Sequence, residues 1–163
     1  MAKKKSAHPR ALTLNHDFVP CTIELEEEYY PNGIFVFNIT KLIRYINLHR
    51  EEFSSIDINV SYYYSMQAHR ELNKDFVEQA DLARPVILAE IAPDRYEMGM
   101  GVNPADYSQR GYNLIDGHHR VAKAHGSGIK TLKAYIVRME QHINFLARGY
   151  KNYVQYWNDK LNS

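Results

Sequence analysis

The chain has 163 residues, of which 45% are hydrophobic and 24% are charged, and its formal net charge is +1. This length suits one compact domain, and the near-neutral charge argues against a dedicated nucleic-acid-binding protein, which is usually strongly basic. The single cysteine, Cys21, excludes an internal disulfide framework and a cysteine-rich zinc site.

The N-terminal stretch is rich in lysine and is not followed by the apolar run of a secretory signal. No stretch of the chain approaches the ~20 apolar residues of a membrane helix. We therefore expect a cytoplasmic protein with a disordered basic arm over residues 1–12 and a single domain over residues 13–163.

The first half of the domain shows alternating strand and helix patterns. The sequence predicts a strand within residues 18–28, a turn at the YYPNG stretch, and a buried strand at residues 34–37. Asn38 is placed to cap a helix, whose apolar face is formed by residues at helical spacing. These are Ile39, Leu42, Ile43 and Ile46.

The middle of the chain predicts a strand at residues 56–64 and a helix over roughly 66–80. The inward face of that helix consists of Leu72, Phe76, Val77 and Ala80. Pro85 excludes a continued helix, so Val86–Leu88 is predicted as a buried strand. Residues 93–111 are too long for a tight connection, and they are either a loop that closes over a ligand or an insertion without a role.

The second half predicts a strand at residues 112–115, a short helix from His118 to His125, and a strand that returns beside the previous one in TLKAYIVRM. A C-terminal helix over about 140–159 carries apolar residues at steps of three and four, which are Ile143, Leu146, Tyr150, Tyr153 and Trp157. This seam predicts packing on the domain itself or, alternatively, a homodimer or protein-partner interface.

The LIDGHHR stretch concentrates chemistry where a strand gives way to a helix. The first N–H groups of a helix lack helical acceptors, and the helix dipole adds positive potential there. Gly117 lets a ligand approach the backbone, while His118, His119 and Arg120 add donors. The stretch therefore predicts an anion site, against the alternative of a plain Asp-Gly turn.

Several roles stay open for the individual side chains of this stretch. Asp116 can cap the helix, hold a divalent ion bound to phosphates, or orient a histidine. His118 and His119 can act as acid or base, because an imidazole titrates near neutral pH. A zinc site is disfavoured, because adjacent histidines diverge on a helix and His125 lies two turns from His118.

The order PVILA, a variable loop and YNLIDGHHRVAKAHGSGIKTLKAYIV resembles the core of the ParB/sulfiredoxin superfamily over residues 84–138. His118 stands where sulfiredoxins carry their catalytic cysteine, so repair of sulfinic acid is not expected. His119 and Arg120 match the phosphate-contacting His-Arg pair of sulfiredoxins, and Gly117 and Arg120 match the CTP-handling turn of ParB proteins. A free-serine kinase of the same superfamily has a similar Asp-Gly-His-His-Arg form.

The resemblance implies an α/β (α+β) fold, with a small mixed sheet, surrounding helices and an additional C-terminal helix. It also implies phosphate binding by Gly117, His118, His119 and Arg120. The residues themselves add Asp116, His118 and His119 as catalytic candidates, with Asp116 either coordinating Mg²⁺ or orienting His119. We therefore expect a protein that binds ATP or another nucleotide, with phosphoryl transfer or nucleotide hydrolysis as the expected activity. The alternatives are a nucleotide-sensing interaction module without turnover and a ParB-like nuclease.

Overall fold

The computed structural model describes residues 8–163, and this range contains seven strands and seven α-helices. The strands are β1 (Tyr29–Asn32), β2 (Phe35–Asn38), β3 (Ser54–Asn59), β4 (Val86–Glu90), β5 (Tyr112–Asp116), β6 (Thr131–Val137) and β7 (Leu146–Arg148). The helices are α1 (Ile39–Leu48), α2 (Val60–Met66), α3 (Lys74–Gln79), α4 (Tyr107–Arg110), α5 (His118–Gly126), α6 (Met139–His142) and α7 (Tyr150–Leu161).

The strands form two small sheets. A three-stranded antiparallel sheet has the order β1-β2-β7, and a four-stranded sheet has the order β3-β6-β4-β5. The larger sheet is mixed, because β4 and β6 are parallel while the other neighbours are antiparallel. The predicted α+β class is confirmed, although the strands are divided between two sheets.

Side-chain alternation along the strands of the larger sheet separates the core into two layers. On β4, Ile87 and Ala89 belong to a cluster with α1, α7 and the smaller sheet, whereas Val86 and Leu88 face a second cluster with α2 and α5. All four residues are buried. The sheet is thus covered on both faces, and α5 is fixed against one of them.

Asn38 connects β2 to α1 as the sequence predicts. Its Oδ1 accepts a hydrogen bond from the Lys41 N–H at 2.9 Å, so the side chain caps the helix. The inward face of α1 is buried at Ile39, Leu42 and Ile46. The predicted helix and its apolar face are confirmed.

Two predicted elements in the first half of the domain are wrong. Residues 18–28 contain no strand, and Glu26 has a φ of +72°, which interrupts an extended chain. The tyrosines at 62–64 lie on α2 rather than on a strand, because Asn59 ends β3 and its Oδ1 accepts from the Tyr62 N–H at 2.8 Å. The cap outweighs the strand propensity of three tyrosines.

The single helix predicted over 66–80 is also wrong, since this region contains the end of α2, a connection and the short helix α3. Asn73 starts α3 by accepting from the Asp75 and Phe76 N–H groups. Phe76 is 60% exposed rather than inward. The exposed ring of Phe76 packs edge-to-face against His119 of α5.

The predicted C-terminal helix over 140–159 is divided into α6, a 3-10 turn, β7 and α7. Gly149 makes the break with a φ of +87°, and a Cβ there would lie 2.7 Å from the Ile34 carbonyl oxygen. Tyr153 and Trp157 are fully buried in the chain's own core, so the seam packs on the domain itself. An interface with another protein through this helix stays a prediction for its exposed face.

The smaller details of topology also differ from the predictions. The strand predicted to return beside β5 is β6, and β4 lies between the two. The predicted disordered arm lies outside the described residues over 1–7, but its last part is fixed to the domain. Arg10 pairs with Glu90, and Leu12 and Asn158 exchange two hydrogen bonds of 2.8 Å.

Candidate functional site

The junction between β5 and α5 requires a glycine. Asp116 ends the strand, Gly117 has a φ of +109°, and the helix begins at His118. A Cβ at Gly117 would lie 2.3 Å from Cγ1 of Val86 on β4, so no larger residue fits without displacing a buried strand. The predicted change from strand to helix at this stretch is confirmed.

The N-terminus of α5 presents three backbone donors. No side chain caps this helix, and the first helical hydrogen bond joins the Val121 N–H to the Gly117 carbonyl at 2.9 Å. The N–H groups of His118, His119 and Arg120 precede that bond and have no acceptor within the helix. With the helix dipole, they create positive potential at this end of α5.

Arg120 is almost entirely occupied by bonds within the protein. Its guanidinium donates to Asp116 Oδ2 at 2.6 Å and to the carbonyl oxygens of Arg84, at 3.0 Å, and Pro85. The residue is only 8% exposed. Arg120 therefore holds α5 against the end of β5 and the start of β4. Its predicted contact with phosphate stays a prediction, and a phosphate would compete with Asp116 for the same guanidinium.

His118 is not a cation at neutral pH. Burial lowers its pKa to about 4, and the charges of Arg70 and His119 act in the same direction. Its ring stacks on Tyr30 with a centroid distance of 5.4 Å, and its carbonyl accepts from Gln67 Nε2 at 2.8 Å. The side chain thus contributes a neutral aromatic surface rather than positive charge.

A cleft of about 640 Å³ opens at the N-terminus of α5, and residues 116–120 all line it. His119 is partly exposed there, with its ring edge-to-face against Phe76 at 5.7 Å. Asp116, Gly117, His118, His119 and Arg120 are therefore brought together at one cavity. This geometry agrees with the local grouping that the sequence predicts.

Two further arginines line the cleft. Arg70 donates to the Tyr30 hydroxyl at 2.6 Å, and its guanidinium lies 5.5 Å from the centre of the same ring. Neither Arg70 nor Arg84 has a carboxylate within 4 Å among residues 8–163, and both are exposed. Their charges are thus available to an anion beside α5.

Sequence reasoning missed Arg70, Arg84 and Tyr30. Only the position of Arg84 could have been inferred, from the pairing of strands. Because β4 and β5 are antiparallel with Ile87 opposite Asp116, residues just before β4 must lie beside the end of β5. Arg70 and Tyr30 are brought to the cleft by the helix connection and the β1–β2 hairpin, whose placement no local pattern specifies.

Carboxylates also line the cleft. Glu27 is 3.5 Å from Lys41, while Glu28 and Asp81 lie within the same cavity wall. Among residues 8–163, the one cluster of three metal-ligating side chains is His49, Glu51 and Glu52, none of which lines the cleft. Asp116 fits Mg²⁺ as a single carboxylate ligand of a phosphate-bound ion, since Mg²⁺ commonly keeps several waters and few protein ligands.

The loop over 93–111 does not line the cleft, so its predicted role as a cover is not supported by this geometry. Arg110 pairs with Asp94 at 2.6 Å within the loop, and Arg138, which follows β6, binds Glu97 and so anchors the loop to the rest of the domain. Four of its residues instead contribute to a different cavity beside β3, namely Asn103, Ala105, Asp106 and Tyr107. His125, considered for zinc, stacks on Tyr64 with a centroid distance of 3.8 Å.

Comparison with known proteins gives no further assignment, because the chain matches no protein-family model and has no detectable similarity to a curated protein or a solved structure. The resemblance to the ParB/sulfiredoxin superfamily stays a prediction from its motif. Within residues 8–163, no helix has both the length and the apolar character needed to cross a membrane.

Proposed function

We propose that the cleft binds a nucleotide such as ATP through its phosphates. The observation that carries this proposal is the combination of an uncapped α5 N-terminus with Arg70 and Arg84 in one cavity. Helix N-termini bind phosphates through backbone N–H groups, and arginine binds phosphate through paired donors. The cleft volume of about 640 Å³ falls in the range of small-molecule sites.

Each residue of the predicted site receives a role in this proposal. The backbone N–H groups of His118, His119 and Arg120 hold phosphate oxygens, and Gly117 keeps the approach open. The side chain of Arg120 holds α5 in place through Asp116 and β4, which is a positioning role. Arg70 and Arg84 neutralise the outer phosphates.

In this proposal Asp116 is the protein ligand of Mg²⁺. Arg120 uses its Oδ2, so the other carboxylate oxygen would hold the ion together with the phosphates. The carboxylates of Glu28 and Asp81 in the same cleft favour a magnesium–nucleotide complex over the free nucleotide, because the complex carries less negative charge.

Turnover is a separate step of the proposal. His119 lines the cleft and is partly exposed, so it is the candidate acid or base for phosphoryl transfer or hydrolysis. The Asp116–Arg120 pair favours a second candidate, a nucleotide-sensing module without turnover, because the carboxylate that would orient a reacting group is already bonded. Membership of the ParB/sulfiredoxin superfamily is part of the same proposal and is supported by the strand–turn–helix–strand order over β5, α5 and β6.

The experiment is a binding panel on the full chain with ATP, GTP, CTP, tripolyphosphate and pyrophosphate, with and without Mg²⁺. A ligand at ~100 times its Kd raises the free energy of unfolding by ~2.7 kcal/mol, which a thermal-shift assay detects. Chromatography of the products then separates an enzyme, which releases ADP or phosphate, from a sensor, which returns intact nucleotide. Absence of binding by every phosphate compound in the panel would contradict the proposal.

A further inference from the structure

A second, smaller cavity of about 230 Å³ adjoins the cleft. The two cavities share Tyr30, Arg70 and His118 as lining residues. Arg70 and the stacked rings of Tyr30 and His118 therefore stand between the anion-binding end of α5 and this smaller cavity. A ligand anchored at α5 by its phosphates has a neighbouring pocket for the rest of the molecule.

One residue that lines the smaller cavity carries a buried acceptor that is unpartnered in the described part of the chain. Gln67 lines it and is only 4% exposed, and its Oε1 has no hydrogen-bond partner among residues 8–163. A buried polar atom without a partner is destabilising and uncommon in folded proteins. The oxygen is thus available for a donor that the protein itself does not provide.

The hydrogen bond made by Nε2 fixes the orientation of the Gln67 side-chain amide. Nε2 donates to the His118 carbonyl oxygen at 2.8 Å. A flip of the amide would place Oε1 against that carbonyl, with two acceptors facing each other, and is therefore unfavourable. The atom of Gln67 that is left without a partner within the described range is accordingly an acceptor and not a donor.

The walls of the cavity suit a flat ring. Tyr63, Tyr112 and the Tyr30–His118 pair contribute aromatic surface, and Met66 adds an adaptable thioether. The volume is below the ~300–1,000 Å³ typical of whole-ligand sites, which fits one ring system rather than a complete nucleotide.

We propose that this cavity holds the base of the nucleotide and that an amino group on the base donates to Gln67 Oε1, an inference that rests on the proposed function. The ligand class is thus a nucleotide whose base carries an exocyclic amino group, such as adenine or cytosine. Hypoxanthine and uracil present a carbonyl oxygen at the same position, which repels Oε1. Met66 is 49% exposed and His69 is also exposed, so these two lining side chains have room to move as the base enters and approaches the buried Oε1.

The test compares pairs of ligands that differ at one group, using the unmodified chain. We expect ATP to bind about tenfold more tightly than ITP, or CTP about tenfold more tightly than UTP, by isothermal titration calorimetry. Equal affinity within both pairs overturns the inference. This comparison needs no variant and stays decisive if a substitution at Gln67 prevents folding.

A variant then assigns the preference to one residue. Gln67→Met removes the acceptor at similar length, so the ratio of the two affinities should fall to about one. Gln155→Met is the control, because Gln155 is exposed on α7 and lines neither cavity. A preference that survives Gln67→Met at full strength overturns the inference.

Tripolyphosphate separates failure of this inference from failure of the proposed function. It lacks a base, so it should bind the unmodified chain and Gln67→Met with equal affinity. Binding of tripolyphosphate without any preference between bases contradicts the base pocket and leaves the phosphate site intact. Absence of binding by tripolyphosphate and by all nucleotides contradicts both.

Discussion

Arginine side chains occupy two regions of this molecule in different ways. In the ion-pair network of Arg10, Glu90, Glu97, Arg138 and Glu140, each guanidinium faces carboxylates, and Glu90 is fully buried between Arg10 and backbone donors. In the cleft at α5, two arginines have no carboxylate partner within the described range 8–163.

The comparison separates charges that hold the fold from charges that are free to bind. The network fixes the N-terminal segment, β4 and α6 to one another. In the cleft, Arg120 is paired with a carboxylate, as the arginines of the network are. Arg70 and Arg84, which the sequence analysis did not identify, have no such partner among residues 8–163. Location in a charged motif therefore does not show that an arginine lacks a partner within the protein, since Arg120 pairs with Asp116.

The largest expected effect is a loss of stability when the ion-pair network around Glu90 is broken. Glu90→Ala removes the acceptor of two Arg10 bonds of 2.6 and 2.7 Å and of the Asp94 and Met139 N–H groups. Removing one partner of a buried pair costs about 3–5 kcal/mol in the free energy of unfolding, which urea denaturation measures. Asp57→Ala is the control, since both sides of the Asp57–Lys133 pair are more than half exposed and its loss costs under ~1 kcal/mol. Equal costs for the two variants would contradict the structural role of the network.

The next effect concerns the turn that builds the cleft. Gly117→Ala forces a side chain into the left-handed region and against Val86, which costs about 1–2 and about 1–3 kcal/mol respectively. We expect a total loss of about 2–5 kcal/mol by urea denaturation. Gly126→Ala in the same helix should be neutral or slightly stabilising, because no atom lies within 4 Å of its added Cβ and its φ is not positive. A Gly117→Ala protein as stable as Gly126→Ala would refute this account of the turn.

The third effect is a pH dependence from His118. Its pKa is about 4 in the folded protein and 6.5 as the ordinary value, so the unfolded chain takes up the proton first as pH falls. The stabilising contribution is complete above pH 6.5 and is lost as pH falls toward 4, by about 3 kcal/mol. His142 is also buried with a lowered pKa, so a variant is needed to isolate His118.

His118→Gln supplies that variant. Between pH 7 and pH 4, the unmodified chain should lose about 3 kcal/mol more stability than His118→Gln does in urea denaturation. Parallel stability curves for the two proteins would contradict a lowered pKa of His118 in the folded protein.

The smallest expected effect is on the affinity for phosphate compounds, and it concerns the two cleft arginines that have no carboxylate partner in the described part of the chain. Arg70→Ala and Arg84→Ala should each weaken tripolyphosphate and ATP about tenfold in calorimetry, because each removes a charged donor from the cleft. Arg44→Ala is the matched control, since Arg44 is exposed on α1, has no carboxylate partner among residues 8–163 and lines neither cavity beside α5. Equal weakening by all three variants would reduce the effect to net charge alone.

Local patterns predicted the part of the fold that local chemistry decides. The Asn38 cap, the apolar face of α1, the buried strand β4 and the change from β5 to α5 each follow from a few adjacent residues. The elements that failed depend either on two local signals that compete or on packing between distant segments. Asn59 starts a helix where three tyrosines favour a strand, and Gly149 divides the predicted C-terminal helix because its backbone packs closely against Ile34.

The candidate site was predictable only along one segment of chain. The grouping of residues 116–120 follows from their adjacency, but their partners do not. Arg120 carries the right charge for phosphate, yet the structure gives it Asp116 four residues earlier on the adjoining strand. Arg70 and Gln67 reach the site through the packing of α2 on α5, which is a tertiary contact.

The most direct test of the central claim follows the backbone amides of α5 by NMR while tripolyphosphate or magnesium ATP is added. The N–H resonances of residues 118–120 should shift in a saturable way, together with that of Arg70, while those around Glu90 stay in place. Saturable shifts centred elsewhere, or no shift at residues 118–120, would contradict the claim that this helix end binds phosphate.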